Sequence, residues 1–188
     1  DIQSLIVVNR FRPDPDKKGQ KFWNVVEGIF SGEGINADRR GAEACIDGLY
    51  GVLVNSPRFD VSRPSIELKG SGRASFPEPL PPEVVKRICQ EHGNADGLVT
   101  IEAFDSNTGL NYRTRTRTRT RNGNEYQEVT HIARGNVRVT VGWRFYAAQT
   151  GNLIDEFRMF ETINFEGTGS NRALATSRLP NRNTVTQR

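Results

Sequence analysis

Ligand-forming side chains are scarce in this chain: its 188 residues hold two His, two Cys and one Met. His92 stands three residues after Cys89 at a predicted helix end and His131 in a predicted strand, with no other Cys or His nearby in sequence. No cluster at zinc spacing and no facial triad of metal ligands can therefore be assembled, and no metal or cofactor is expected. Charge of one sign is also lacking. Twenty-six Lys and Arg against 22 Asp and Glu leave a net charge of +4, too slight to imply a polyanion partner unless the charge is concentrated. No apolar run approaches the roughly 18 residues that cross a bilayer as a helix. The start at Asp1 carries no signal-peptide pattern and reads as that of a processed chain.

Catalytic patterns are missing as well. Cys45 and Cys89 fall on the apolar faces of predicted helices, where a thiol packs as a small hydrophobe and is hard to ionise. The glycine-bearing stretches Ser31-Gly32-Glu33-Gly34 and Lys69-Gly70-Ser71-Gly72 lack the strand-loop-helix frame of a phosphate loop and read as turns. No pair of carboxylates stands in an apolar setting. The expectation is a protein that is not an enzyme, with no small-molecule substrate.

A hydrophobic fraction of 35% with 26% charge is nevertheless that of a chain with a packed core. Ile2 to Asn9 reads as a buried first strand, followed by a Pro/Asp loop. Asn36 to Asn55 has helical spacing of Ala42, Cys45, Leu49, Val52 and Leu53, with Asn36 or Asp38 as N-cap. Arg58 to Arg63 alternates as a short strand, and the proline-rich stretch from Pro64 to Pro82 reads as a mobile loop. Pro81 and Pro82 open a second helix that closes at His92-Gly93, and Gly97 to Phe104 follows as a third strand. The second half alternates with period two: Arg113 to Arg121, an Asn122-Gly123 turn, Tyr126 to Arg134, Val137 to Tyr146, a Gln149 to Asn152 turn, and Leu153 to Phe165. The expected fold is α+β, a mixed β-sheet with two main helices packed on one face and a long-stranded antiparallel meander in the second half. Residues 1–166 form one domain, and 167–188 a tail or linker into a further domain.

The positive charge concentrates in one place. Arg113, Arg115, Arg117, Arg119 and Arg121 alternate with four threonines, so a strand carries all five guanidinium groups on one face, spaced roughly 6 to 7 Å apart. Three readings stand. The row is a solvated face neutralised by Glu125 and Glu128 of the next strand; or a docking surface for a protein or an adjacent domain, where the guanidinium fork takes carboxylates bidentately; or a strip for nucleic acid or an anionic glycan. No aromatic residue lies within the run, which disfavours nucleic acid.

The first strand ending in Asn9-Arg10, the long helix, the proline-bracketed helix leading into Ala95-Asp96-Gly97-Leu98-Val99, and the hairpin Phe145 to Ile154 resemble the N-terminal domain of curli-secretion-lipoprotein and Tol-Pal-propeller-type proteins. Leu80 to Ser106 and the segment around Ser31 to Arg58 more closely resemble an uncharacterised lipoprotein family of Gram-negative gut bacteria, in which such a domain precedes tetratricopeptide repeats. That resemblance implies export, a lipid anchor upstream of Asp1, attachment to the outer membrane, and a repeat domain after Arg188. It implies no catalytic residue. The whole is expected to be a non-enzymatic cell-envelope module that binds or scaffolds protein, its partner an envelope component or its own C-terminal repeats. Membrane association would come only through the anchor. The alternative is polyanion binding through the Arg113–Arg121 strand.

Overall fold

The computed structural model describes residues 2–12, 34–70 and 75–180. The expected Pro/Asp loop from Pro13 onward, the turn at residues 31–33, Ser71-Gly72 and residues 181–188 lie outside the described residues. Five strands form one mixed sheet in the order β2-β1-β3-β4-β5, with β1 Ser4–Asn9, β2 Asp60–Ser62, β3 Gly97–Arg121, β4 Asn124–Ala147 and β5 Leu153–Gly169. Strand β1 runs parallel to both β2 and β3, whereas β3, β4 and β5 are antiparallel. The helices are α1 Gly34–Val54, α2 Pro82–Glu91 and α3 Arg172–Ser177. The α+β class, the mixed sheet and the long antiparallel strands agree with the sequence.

The helices do not share a face. Leu5 and Val7 pack with Ala42 and Ile46 of α1, together with Ile101, Phe104, Val141 and Trp143. Ile6 and Val8 pack on the other side with Val85, Ile88 and Cys89 of α2, together with Leu98 and Tyr146. Successive residues of a strand point to opposite faces, so α1 and α2 sandwich the base of the sheet. Cys45 and Cys89 are free and stand on those opposite sides, which rules out a disulfide between them. Helix α1 begins at Gly34, ahead of the expected caps, and Asp38 accepts a hydrogen bond from the Ser106 hydroxyl of β3.

Two pairs of expected strands are each a single strand. Gly97 to Phe104 continues unbroken into the Arg-Thr run, and Tyr126 to Arg134 continues into Val137 to Tyr146. The polar stretch Asp105 to Gly109 resembles a turn in composition, but it pairs residue for residue with Asn136–Thr140. Gly109 makes room there: a Cβ on it would stand 2.7 Å from the Asn136 side-chain oxygen. Strand β5 also runs past the expected boundary at 167, and α3 packs Ala175 with Leu179 against Ala133. The described residues after 166 are thus part of the fold.

One irregularity organises the base. The register of β3 against β4 shifts between Ile101 and Ala103, and the residue at the shift, Glu102, is fully buried. Its carboxylate accepts from Arg10 Nη1 at 2.8 Å, Arg144 Nη1 at 2.9 Å, Thr100 Oγ1 at 2.7 Å and the Tyr146 hydroxyl at 2.8 Å. Buried charge is tolerated when paired and fully hydrogen-bonded, as here. The same groups hold the proline-rich loop: Arg10 Nε donates to the Lys69 carbonyl, Arg144 Nη1 to the Pro77 carbonyl, and Leu80 N–H to the Tyr146 oxygen. The described parts of that loop are anchored, contrary to the mobility its composition implies.

Candidate functional site

Residues Asn122 and Gly123 form the two-residue turn between β3 and β4, with φ of 53° and 80°. Positive φ at both positions is the turn that matches strand twist, and asparagine followed by glycine is the pair that adopts it at least cost. The turn fixes the register of the whole hairpin. Arg121 faces Asn124, Arg119 faces Tyr126, Arg117 faces Glu128, Arg115 faces Thr130 and Arg113 faces Ile132. Thr120 faces Glu125, Thr118 faces Gln127, Thr116 faces Val129 and Thr114 faces His131.

Strand β5 ends opposite this pair, with His131 facing Gly169, and α3 packs no farther out than Tyr112. From Arg115 and Thr130 to the tip, the described structure is a two-stranded ribbon, and every residue from Arg113 to Arg121 is exposed. At about 3.3 Å per residue, the run spans roughly 26 Å. The Arg-Thr run is therefore half of a protruding arm.

The expected row is real: Arg113, Arg115, Arg117, Arg119 and Arg121 share one face, which is the outward continuation of the face covered by α2 at the base. Its expected neutralisation is only half present. Glu128 lies on the arginine face and accepts from Arg119 Nε at 3.0 Å, whereas Glu125 is opposite Thr120 on the threonine face. That hydrogen bond, followed by the carboxylate's charge, raises the Arg119 pKa. Among the described residues Arg119 alone of the five is ion-paired, which leaves four more cations than anions on the arm's arginine face. The face also holds an aromatic group that the linear sequence hid: Tyr126, 47% exposed, opposite Arg119.

The rest of the described molecule offers less to a reactant. An open cavity of ≈ 520 Å³ at the base is lined by Ile2, Lys86, Cys89, Asn94, Asp96 and Gln149, among others. Asp96 is committed there, accepting from Gln3 N–H and Ser4 N–H, both at 2.9 Å, and these backbone donors hold its carboxyl below the usual range. Burial, with a smaller push from Asp96, drives the Cys89 thiol up to about 11, the reverse of what a nucleophile needs. Glu102, Thr100 and Tyr146 are fully buried, and Arg10 and Arg144 nearly so. Among the described residues no group of three or more His, Cys, Asp or Glu could hold a metal ion, and no helix is long and apolar enough to cross a membrane.

Comparison with known proteins gives a family. The model of a domain of unknown function, DUF8603, matches residues 2–188. No curated protein matches. Among solved structures, a neuraminyllactose-binding hemagglutinin homolog from Helicobacter pylori is similar at 10% identity, over 98% of this chain and 80% of that one, with a TM-score of 0.37. A likeness so distant carries no argument about role.

Proposed function

The chain belongs to the DUF8603 family, and on that premise we propose a non-enzymatic binding module whose working part is the arginine face of the β3–β4 arm, recognising an acidic protein partner. The observation that carries this reading is the register: five exposed arginines stand on one face of a narrow ribbon with only Glu128 among them. Like charges in a row cost free energy, and that cost is offset when an anionic surface docks against them. Arginine suits carboxylates in particular, because its planar fork donates two parallel hydrogen bonds. The partner is an envelope component or a repeat domain of the same protein, as the sequence resemblance implies. That resemblance also supports a lipid-anchored place in the outer membrane. A full-length precursor without a lipidation cysteine would remove the location and leave the binding reading standing.

Tyr126 favours a second reading. An exposed ring beside Arg119 could stack on a base or a sugar, so nucleic acid or an anionic glycan is the alternative ligand. One experiment addresses both. Binding of polyglutamate, heparin and single-stranded DNA is measured across a salt series, with the wild-type chain and with a variant carrying Arg115→Ala, Arg117→Ala and Arg119→Ala. The module reading expects polyglutamate binding that weakens steeply with salt and falls more than about tenfold in the variant. A flat salt response, or a variant that binds as the parent does, removes the arm from the function.

A further inference from the structure

Among the described residues the β3 edge of the arm has no strand beside it. Strand β1 pairs with β3 only from Gly97 to Ile101, and among the described residues no strand pairs with the other side of β3 beyond that point. Such an edge presents a row of backbone N–H and C=O groups, a template for an added strand. Which groups face outward follows from the turn. A two-residue loop closes on a hydrogen-bonded pair, here Arg121 with Asn124, and hydrogen-bonded and non-bonded pairs then alternate down an antiparallel ladder. The arginines accordingly turn their backbone groups toward β4, and Thr114, Thr116, Thr118 and Thr120 turn theirs to the open edge.

We propose that this edge captures an extended segment of a partner protein as an added antiparallel strand, and that the segment carries Asp or Glu at alternate positions. This rests on the arm being the recognition element, and it specifies how recognition occurs. The guest strand would bond to the threonine backbones. Its residues opposite the arginines would then occupy the non-hydrogen-bonded positions, where Cα atoms come within about 4.5 Å and side chains on the shared face are closest. An acid at each of these positions meets one guanidinium, because both strands repeat every two residues. The same geometry excludes a second copy of this edge as the guest. Two such edges would set arginine against arginine, which is how charged edge residues block self-association. Threonine on the alternate positions completes the design with a strand former that leaves the backbone accessible.

The test uses the full chain and three peptides matched in length to Arg113–Arg121: one alternating Glu with Thr, one of equal composition with its glutamates contiguous, and the alternating peptide N-methylated on the amides that would face β3. At low salt the alternating peptide should bind at least about tenfold more tightly than either of the others. Thr116→Pro removes one outward N–H, no arginine and no bond to β4; it should weaken the alternating peptide by about tenfold and leave heparin binding unchanged. Equal binding of all three peptides would overturn strand addition and leave anion recognition by the arm intact. Tighter binding of heparin or single-stranded DNA than of the alternating peptide would also overturn it, in favour of the polyanion alternative. No binding of any acidic peptide or polyanion would overturn both.

Discussion

The fold makes a quantitative commitment at Glu102. Replacing it with glutamine preserves volume and shape but turns one acceptor edge of the side chain into a donor. Facing that edge toward Arg10 and Arg144 would set N–H against two guanidinium groups, so the amide must point its oxygen at the arginines and its nitrogen at Thr100 and Tyr146. Those hydroxyls can rotate to accept. The lost negative charge has no such remedy: among the described residues Arg10, 8% exposed, would keep no carboxylate, and Arg144, 6% exposed, would keep only Glu156, whose side chain is 40% exposed. Removing one partner from a buried ionic network costs roughly 3–5 kcal/mol, and the hydrogen bonds kept by the amide place Glu102→Gln near the lower end, about 3 kcal/mol. For a domain of this size that corresponds to a fall of about 6–12 °C in melting temperature. Glu156→Gln is the control. It removes a half-exposed partner of Arg144, and solvent screening holds its cost to about 1 kcal/mol or less. Urea titrations followed by far-ultraviolet circular dichroism give both values. A Glu102→Gln loss below about 1 kcal/mol, or equal losses for the two variants, would refute the claim that this carboxylate holds the base together.

Other consequences follow from the same packing. Burial, foremost, pushes the Tyr146 phenol up from 10.0 to about 12, so the folded state holds that proton more tightly than the unfolded one. Its contribution is complete below pH 10 and is lost as pH rises toward 12; Tyr146→Phe should flatten this alkaline decline while costing about 1–2 kcal/mol at neutral pH, read from denaturation midpoints against pH. The Cys89 thiol, 1% exposed, should resist alkylation in the folded chain and react once urea unfolds it; equal rates would contradict its burial in the α2 core. Gly123→Ala puts a Cβ on a residue with φ of 80° and should cost the turn about 1 kcal/mol. Its signature is faster amide exchange confined to the ribbon beyond Thr114, with the melting temperature of the body nearly unchanged.

Much of this architecture was legible in the chain, and the failures have physical causes. Pro81 and Pro82 announced α2, and the alternation of Val137, Val139, Val141 and Trp143 announced the face that α1 covers. The placement of both helices on one face overlooked a signal that was present. Leu5 to Val8 are apolar at every position, and a strand with no polar side must be covered on both sides. The length of β3 was obscured for a different reason. Asp105, Ser106, Asn107 and Gly109 favour turns when considered locally, but pairing along the whole of β4 outweighs that preference. Glu102 could not have been singled out, because the register shift that buries it depends on contacts from residues as distant as Arg10 and Arg144.

The arm is the opposite case, since its decisive geometry could have been derived from the two residues Asn122-Gly123. Once the turn is a two-residue one, Arg121 must face Asn124, and stepping down both strands puts Tyr126 and Glu128 on the arginine face and Glu125 on the other. Proximity in sequence made Glu125 and Glu128 equivalent neutralisers; parity separates them. With one glutamate instead of two, the row keeps four more cations than anions, so neutralisation by the neighbouring strand is only partial. The same parity turns the threonine backbones toward the open edge, so the alternation that sorts charge onto one face also sorts hydrogen-bonding capacity onto one edge. A partner that satisfies both must itself repeat every two residues, and an extended polypeptide does so whereas a generic anion does not. The contrast between alternating and contiguous acidic peptides therefore probes the sequence pattern itself and separates recognition by register from recognition by charge.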